Sequence, residues 1–200
     1  MKRKSFTLIE ILGVMAIIAI LSTLGFAGYS YANNKSNESS TQGLITRLNA
    51  AFEIAHQKTG FLPPTQSDFS EIEFEYKKDE DEESNNKIIS ALVINSKKYN
   101  LSPDKDAKRQ AKMEAEFCKQ FIQALQMDSM KRYIDDDEIV DAWGNKVYYS
   151  YPGKLKTGGF DLISAGSDGG FGTEVKETPA DDISKYRDGA DWICDDIANF

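Results

Sequence analysis

Hydrophobic and polar positions are distributed very unevenly along this chain. After the polar opening MKRKS comes FTLIEILGVMAIIAILSTLGFAGYSYANN, and from Ile11 to Asn34 no charged residue occurs for 24 positions. As a helix, such a run is long enough to cross a hydrocarbon core about 30 Å thick. Lys2, Arg3 and Lys4 on its flank should stay on the cytoplasmic side. Past Asn34 the sequence turns polar (KSNESSTQG), and then helical spacing resumes. Leu44, Leu48, Phe52 and Ala55, with Ile45 and Ala51, recur at intervals of three and four. Thr59-Gly60 followed by Pro63-Pro64 reads as a helix stop. The pattern predicts one helix from about Thr7 to Lys58, roughly 78 Å at the standard rise. Its first half faces lipid and its second half packs on a globular head.

The middle of the chain, from about Ser70 to Asp137, carries weaker signals. Lys77 to Lys87 (KKDEDEESNNK) reads as a solvated loop. Ile88 to Ile94 is a short apolar run that periodicity assigns equally to a strand or a buried helix. Ser102-Pro103-Asp104 reads as a helix start. Met113, Phe117, Phe121 and Leu125, with Cys118 and Ile122, then form an apolar face that continues to about Met130 and suits core packing. Turn signals and short strands fill the last third. Asp141-Ala142-Trp143-Gly144-Asn145 is a turn, Val147 to Tyr149 a strand, and Tyr151-Pro152-Gly153 a turn. Phe160 to Ser164 is a second strand, and Ala165 to Gly170 a tight loop.

Charge and cysteine content narrow the function classes. The chain has 200 residues and a net charge of -8, which argues against a nucleic-acid partner. From Asp161 onward ten acids stand against three cations, so that segment stays solvated or recruits a cation. Cys118 and Cys194 match no zinc spacing. Outside the cytoplasm they could close a loop of about 76 residues, contributing on the order of 4 kcal/mol; otherwise they are two free, partly buried thiols. The single histidine, His56, sits in the last turn of the long helix with no second ligand at metal-binding spacing. There is no nucleophile motif, phosphate loop or HExxH, so the sequence does not read as an enzyme.

Glu10 sets the apolar run apart. An ordinary membrane anchor, or a Sec signal peptide cut near Gly25-Phe26-Ala27, has no use for a carboxylate at its edge, where the charge is costly and usually functional. Ser5-Phe6-Thr7-Leu8-Ile9-Glu10 after a short basic leader resembles the prepilin leader of type IV pilins and type II secretion pseudopilins. The resemblance implies cleavage between Ser5 and Phe6 by prepilin peptidase and N-methylation of Phe6. Glu10 would then pair with the Phe6 ammonium of a neighbouring subunit in a filament. Two positions depart from the pattern: Ser5 replaces the usual Gly before the cut, and Ala27 stands where the family commonly has proline. Gly25 and Gly28 can weaken the helix there, at about 1 kcal/mol each.

Further along, LNAAFEIAHQKTGFLPP resembles the end of the pseudopilin long helix. The series DAWGNKVYYSYPG, FDLISAGSDGG and DDIANF resembles the head of the major (G-type) type II secretion pseudopilin. That resemblance implies a Ca²⁺ site formed by the carbonyl of Ala165, by Asp168 and by the terminal acids Asp195 and Asp196. A stretch from Phe171 to Trp192 looks inserted between these groups; it adds Asp181-Asp182-Ile183 and leaves Asp191 as an alternative ligand. No EF-hand pattern is present.

The expected fold is α+β and pilin-like, with a long N-terminal helix packed on a small head with a short antiparallel sheet and a C-terminal loop. The expected segments are a leader over 1–5, a transmembrane and assembly helix over 6–34, and the periplasmic half of that helix over 35–60. A variable helical and loop region over 61–140 and the C-terminal sheet and calcium loop over 141–200 follow. By resemblance this is a structural subunit of a type II secretion pseudopilus, anchored once in the bacterial inner membrane with its head in the periplasm. Its implied partners are copies of itself, minor pseudopilins, prepilin peptidase and an inner-membrane assembly platform. A type IV pilin for adhesion, motility or DNA uptake is the nearest alternative. A secreted calcium-dependent protein behind a Sec signal is the alternative from another class.

Overall fold

The computed structural model describes residues 8–65, 69–78, 87–156, 158–172, 178–179, 182–188, 191–192 and 195–199. The chain divides into two units, 1–37 and 38–200. Helix α1 spans Leu8–Thr59. Within the first unit its large apolar side chains are 53% (Ile11) to 79% (Leu8) exposed. These side chains build no protein core, and the helix is long and apolar enough to cross a membrane.

In the second unit the same helix turns one face inward. Leu44, Ile45, Leu48, Ala51, Phe52 and Ala55 are buried, as the stripe predicts. α1 ends where the sequence places its stop: Gly60 takes φ +67°, and its N–H donates to His56 O at 2.7 Å. His56 Nδ1 lies 3.3 Å from Phe61 O, a helix-end position.

The strands are β1 (Ser70–Lys78), β2 (Lys87–Ile94), β3 (Lys97–Asn100), β4 (Ile134–Asp135), β5 (Glu138–Ile139), β6 (Val147–Ser150), β7 (Asp161–Ser164), β8 (Arg187–Asp188), β9 (Asp191–Trp192) and β10 (Ile197–Ala198). Eight of them form an antiparallel sheet in the order β10-β7-β6-β1-β2-β3, with hairpin β4–β5 joined to β1 through β5; β8 and β9 pair separately. The head thus holds more sheet than the sequence predicts, and region 61–140 supplies its centre rather than helix and loop alone. β1 alternates Ile72 and Phe74 inward with Glu71, Glu73 and Glu75 outward. The run Ile88 to Ile94 is a strand, because β1 offers it a ladder from Ile72↔Ile94 to Lys78↔Lys87. Residues 79–86 of the expected charged loop lie outside the described residues.

Helix α2 spans Arg109–Leu125, so Ser102-Pro103-Asp104 does not start it. Those residues lead into a turn closed by Ala107 N–H on Asp104 O, and Lys108 stays extended. Gln126 in the left-handed region ends the helix, and two 3₁₀ turns carry the chain to Tyr133.

Pleating puts successive strand residues on opposite faces, and both faces of β6 and β7 are covered. Val147, Tyr149 and Leu162 join the core under α1 and α2, centred on Phe52. The Phe52 ring stacks on Tyr149 at 4.6 Å and meets Phe121 at 4.5 Å and Phe160 at 5.2 Å. On the other face Tyr148 and Ile163 pack with Leu155, Ala165, Phe171, Tyr186 and Ala198. The stretch from Phe171 onward, read from sequence as an insertion, therefore supplies cover for the second face of the sheet.

Candidate functional site

The C-terminal loop is built outward from Asp141, which sequence reasoning passed over as part of a turn. Its Oδ1 accepts the N–H groups of Trp143 and Asn145, both at 2.8 Å, and its Oδ2 accepts Ser164 Oγ at 2.7 Å. A carboxylate two and four residues ahead of the amides it caps is an Asx-type turn. That spacing within DAWGN was the signal available to find it. Asn145, placed by this turn, donates from Nδ2 to Gly166 O at 2.8 Å and so holds the loop after β7.

Asp195 meets the same loop from the chain terminus. Its Oδ2 accepts Ser167 N–H and Ser167 Oγ, both at 2.6 Å, and Asp168 N–H at 3.0 Å. Asp168 Oδ1 accepts Gly170 N–H at 2.9 Å, and buried Asp196 accepts Gly172 N–H through Oδ2 at 2.7 Å. Gly166 must be glycine: it takes φ +70°, and an added Cβ would collide with the Asp195 carbonyl. Ala165 is buried at the end of β7. Hydrogen bonds thus tie Asp195 to Ser167 and Asp168, and Asp196 to Gly172, but Asp168, Asp195 and Asp196 do not bring three carboxylate oxygens within 4.8 Å of one another. The three carboxylates act there as acceptors for backbone amides. The donor set is all oxygen, which fits Ca²⁺ in chemical type. Asp195 and Asp168 side chains are exposed. Asp191 lies in β9, and Asp181 falls outside the described residues.

The closest gathering of acids is elsewhere. Among the described residues, Glu71, Glu73 and Glu138 bring one oxygen each within 4.8 Å of one another. Lys146 Nζ joins this group, 3.0 Å from Glu71 and 2.9 Å from Glu138, and Tyr148 OH donates to Glu71 at 3.3 Å. The hydrogen bond to Glu138 is the largest cause holding Lys146 above its ordinary pKa. Burial, then Glu138 and Glu71, push the Glu73 carboxyl up.

Cys118 is a free thiol in the core, donating to Tyr99 O at 3.3 Å, and burial pushes its pKa up to about 12. Cys194 lies outside the described residues, as do Ser5 and Phe6. Glu10 lies in the exposed apolar part of α1.

Two families of known proteins match. The prokaryotic N-terminal methylation motif matches residues 1–26. The family of type II secretion system protein G matches residues 81–185, just over half of the chain. Neither a curated protein nor a solved structure matches. The match to protein G covers most of the head strands and α2, and the methylation motif covers the leader and Glu10. The chain accordingly belongs to the type II secretion protein G family: it is a pseudopilin, a structural subunit of the type II secretion pseudopilus that prepilin peptidase processes.

Proposed function

We propose that this pseudopilin is anchored in the bacterial inner membrane by the apolar part of α1, with its head on the periplasmic side. There it polymerises with copies of itself, on an inner-membrane assembly platform and alongside minor pseudopilins. The observation that supports this reading is Glu10, an acid inside an apolar run and within the methylation motif. Cleavage between Ser5 and Phe6 frees an amino group that is then methylated. In the filament the Glu10 carboxylate of one subunit meets the Phe6 ammonium of the next within a low-dielectric helix bundle. Removing one partner of such a buried pair costs about 3–5 kcal/mol, because the other charge is left uncompensated. The subunit performs no chemistry of its own; its work is assembly.

Calcium belongs to the same reading. Ala165 through its carbonyl, with Asp168, Asp195 and Asp196, would hold it. The ion would neutralise the acids that converge on the loop after β7 and fix the chain terminus there.

Intact-mass analysis of the protein from membranes with an active prepilin peptidase tests the proposal. The expected mature chain begins at methylated Phe6, and Glu10→Gln is expected to be processed yet to fail in filament formation. A mature chain that begins at Met1, or Glu10→Gln filaments at normal yield, overturns it.

A further inference from the structure

Two exposed features of the head violate local rules of stability, and they do so with opposite charge. α2 begins on cations. Lys108 occupies its N-cap with no side-chain cap bond, the first turn contains no acid, and Arg109 and Lys112 follow. The helix dipole disfavours cations at that end, and lysine is a poor N-cap. Lys105, Lys108, Arg109 and Lys112 are exposed. They make no ion pair among the described residues. Asp104 and Asp106 only partly offset these four cations.

Hairpin β4–β5 carries the opposite sign in the run Asp135-Asp136-Asp137-Glu138. Asp136 and Asp137 sit at φ 43° and 69°, in a tight turn where Asn-Gly would be favoured. Glu138 directly faces Glu73 across the strands, a destabilising like-charge pair. The nearby cations are engaged: Lys131 with Asp128, Lys146 with Glu71 and Glu138, and Arg132 over the Tyr133 ring. Asp135 and Asp136 remain exposed.

Topology places these features at opposite edges. The strand path β4-β5-β1-β2-β3 has the hairpin at one end, and α2 packs against β3 at the other. Lys97–Glu114 and the Cys118 bond to Tyr99 O tie α2 to β3. Four interstrand steps separate the edges by about 19 Å. Unlike charges on two different patches of one molecule make a heterologous contact, and repetition of such a contact whose rotation does not close generates an open helical polymer.

We propose that in the pseudopilus the acidic β4–β5 hairpin of one subunit docks on the cationic start of α2 in a second copy of this chain. The proposal rests on the pseudopilin reading and deepens it by naming a contact between heads. Exposed charges act over about 8 Å at physiological salt. The contact therefore sets the register of adjacent heads, while α1 supplies the bulk of the cohesion.

Charge reversal in the full-length chain, expressed with its secretion machinery, tests this through the yield of sheared filaments. Lys108→Glu with Arg109→Glu puts acids where the helix dipole favours them, so the head should melt no lower than before. Filament yield should nevertheless fall about tenfold, the sum of several exposed pairs. Asp135→Lys with Asp136→Asn should lower it similarly, since asparagine tolerates the left-handed turn. Combining the two sets should restore yield. Normal yield after either reversal, or no recovery in the combination, overturns the docking. Absence of filaments from the unaltered chain overturns the pseudopilin reading itself, and the docking with it.

Discussion

Asp141 is only 2% exposed, and its two oxygens satisfy two backbone amides and the Ser164 hydroxyl. Asp141→Ala strands those donors in the interior and is expected to destabilise the head by about 3 kcal/mol, measured by urea unfolding. Asp141→Asn, which keeps acceptor capacity, should lose less. Glu73 shows the opposite balance. Its carboxyl is raised from 4.5, first by burial and then by Glu138 and Glu71. A carboxyl raised on folding holds its proton more tightly in the folded state. Its contribution therefore favours folding below the ordinary value and is lost as pH rises through the raised one. Glu73→Gln is expected to stabilise the head at pH 7 by about 0.5 kcal/mol, the scale of a screened cross-strand pair. Melting curves should show the gain vanish below about pH 4, where the native carboxyl is itself protonated. The Asx spacing in DAWGN hinted at the role of Asp141, but nothing in the sequence around Glu73 marked its role. Burial and the partner across the strand distinguish them.

At the scale of elements, Phe52 is the hub through which α1, α2 and the sheet share a core. It touches Phe117 and Phe121 from α2, Tyr149 from β6, and Phe160. Phe52→Ala should cost about 3–5 kcal/mol, read from denaturant unfolding, because four rings cannot all collapse into the space it leaves. The α1 stripe and the α2 face were legible because helical spacing survives in the residues themselves. β1 was not recognised, although Ile72 and Phe74 alternate correctly, because the intervening glutamates are residues that strands disfavour. Its strand character comes from β2 on one side and β5 and β6 on the other. The segment after Phe171 likewise looked like an insertion until Phe171 and Tyr186 were found covering Tyr148 and Ile163.

For the whole molecule, calcium is the ligand that the proposed reading adds to the head, and a ligand that binds only the folded state must raise its stability. At a hundredfold excess over Kd the gain is about 2.7 kcal/mol. Differential scanning calorimetry in calcium and then in chelator should show the difference. Asp168→Ala should abolish it, and Glu71→Gln should leave it intact; equal melting temperatures for the unaltered head would defeat the site. Length and polarity of one contiguous run, with a basic leader and Glu10, determined a helix long and apolar enough to cross a membrane and the processing signal by themselves, because these depend on neighbours in sequence. Tertiary structure decided the rest: the central place of β1, the free Cys118, and the bonds of Asp195 and Asp196 to the amides of Ser167, Asp168 and Gly172. Those depend on groups far apart in the chain, as Asn199 bonded to Asn49 across 150 positions illustrates. Only folding brings such groups within hydrogen-bond reach and out of water.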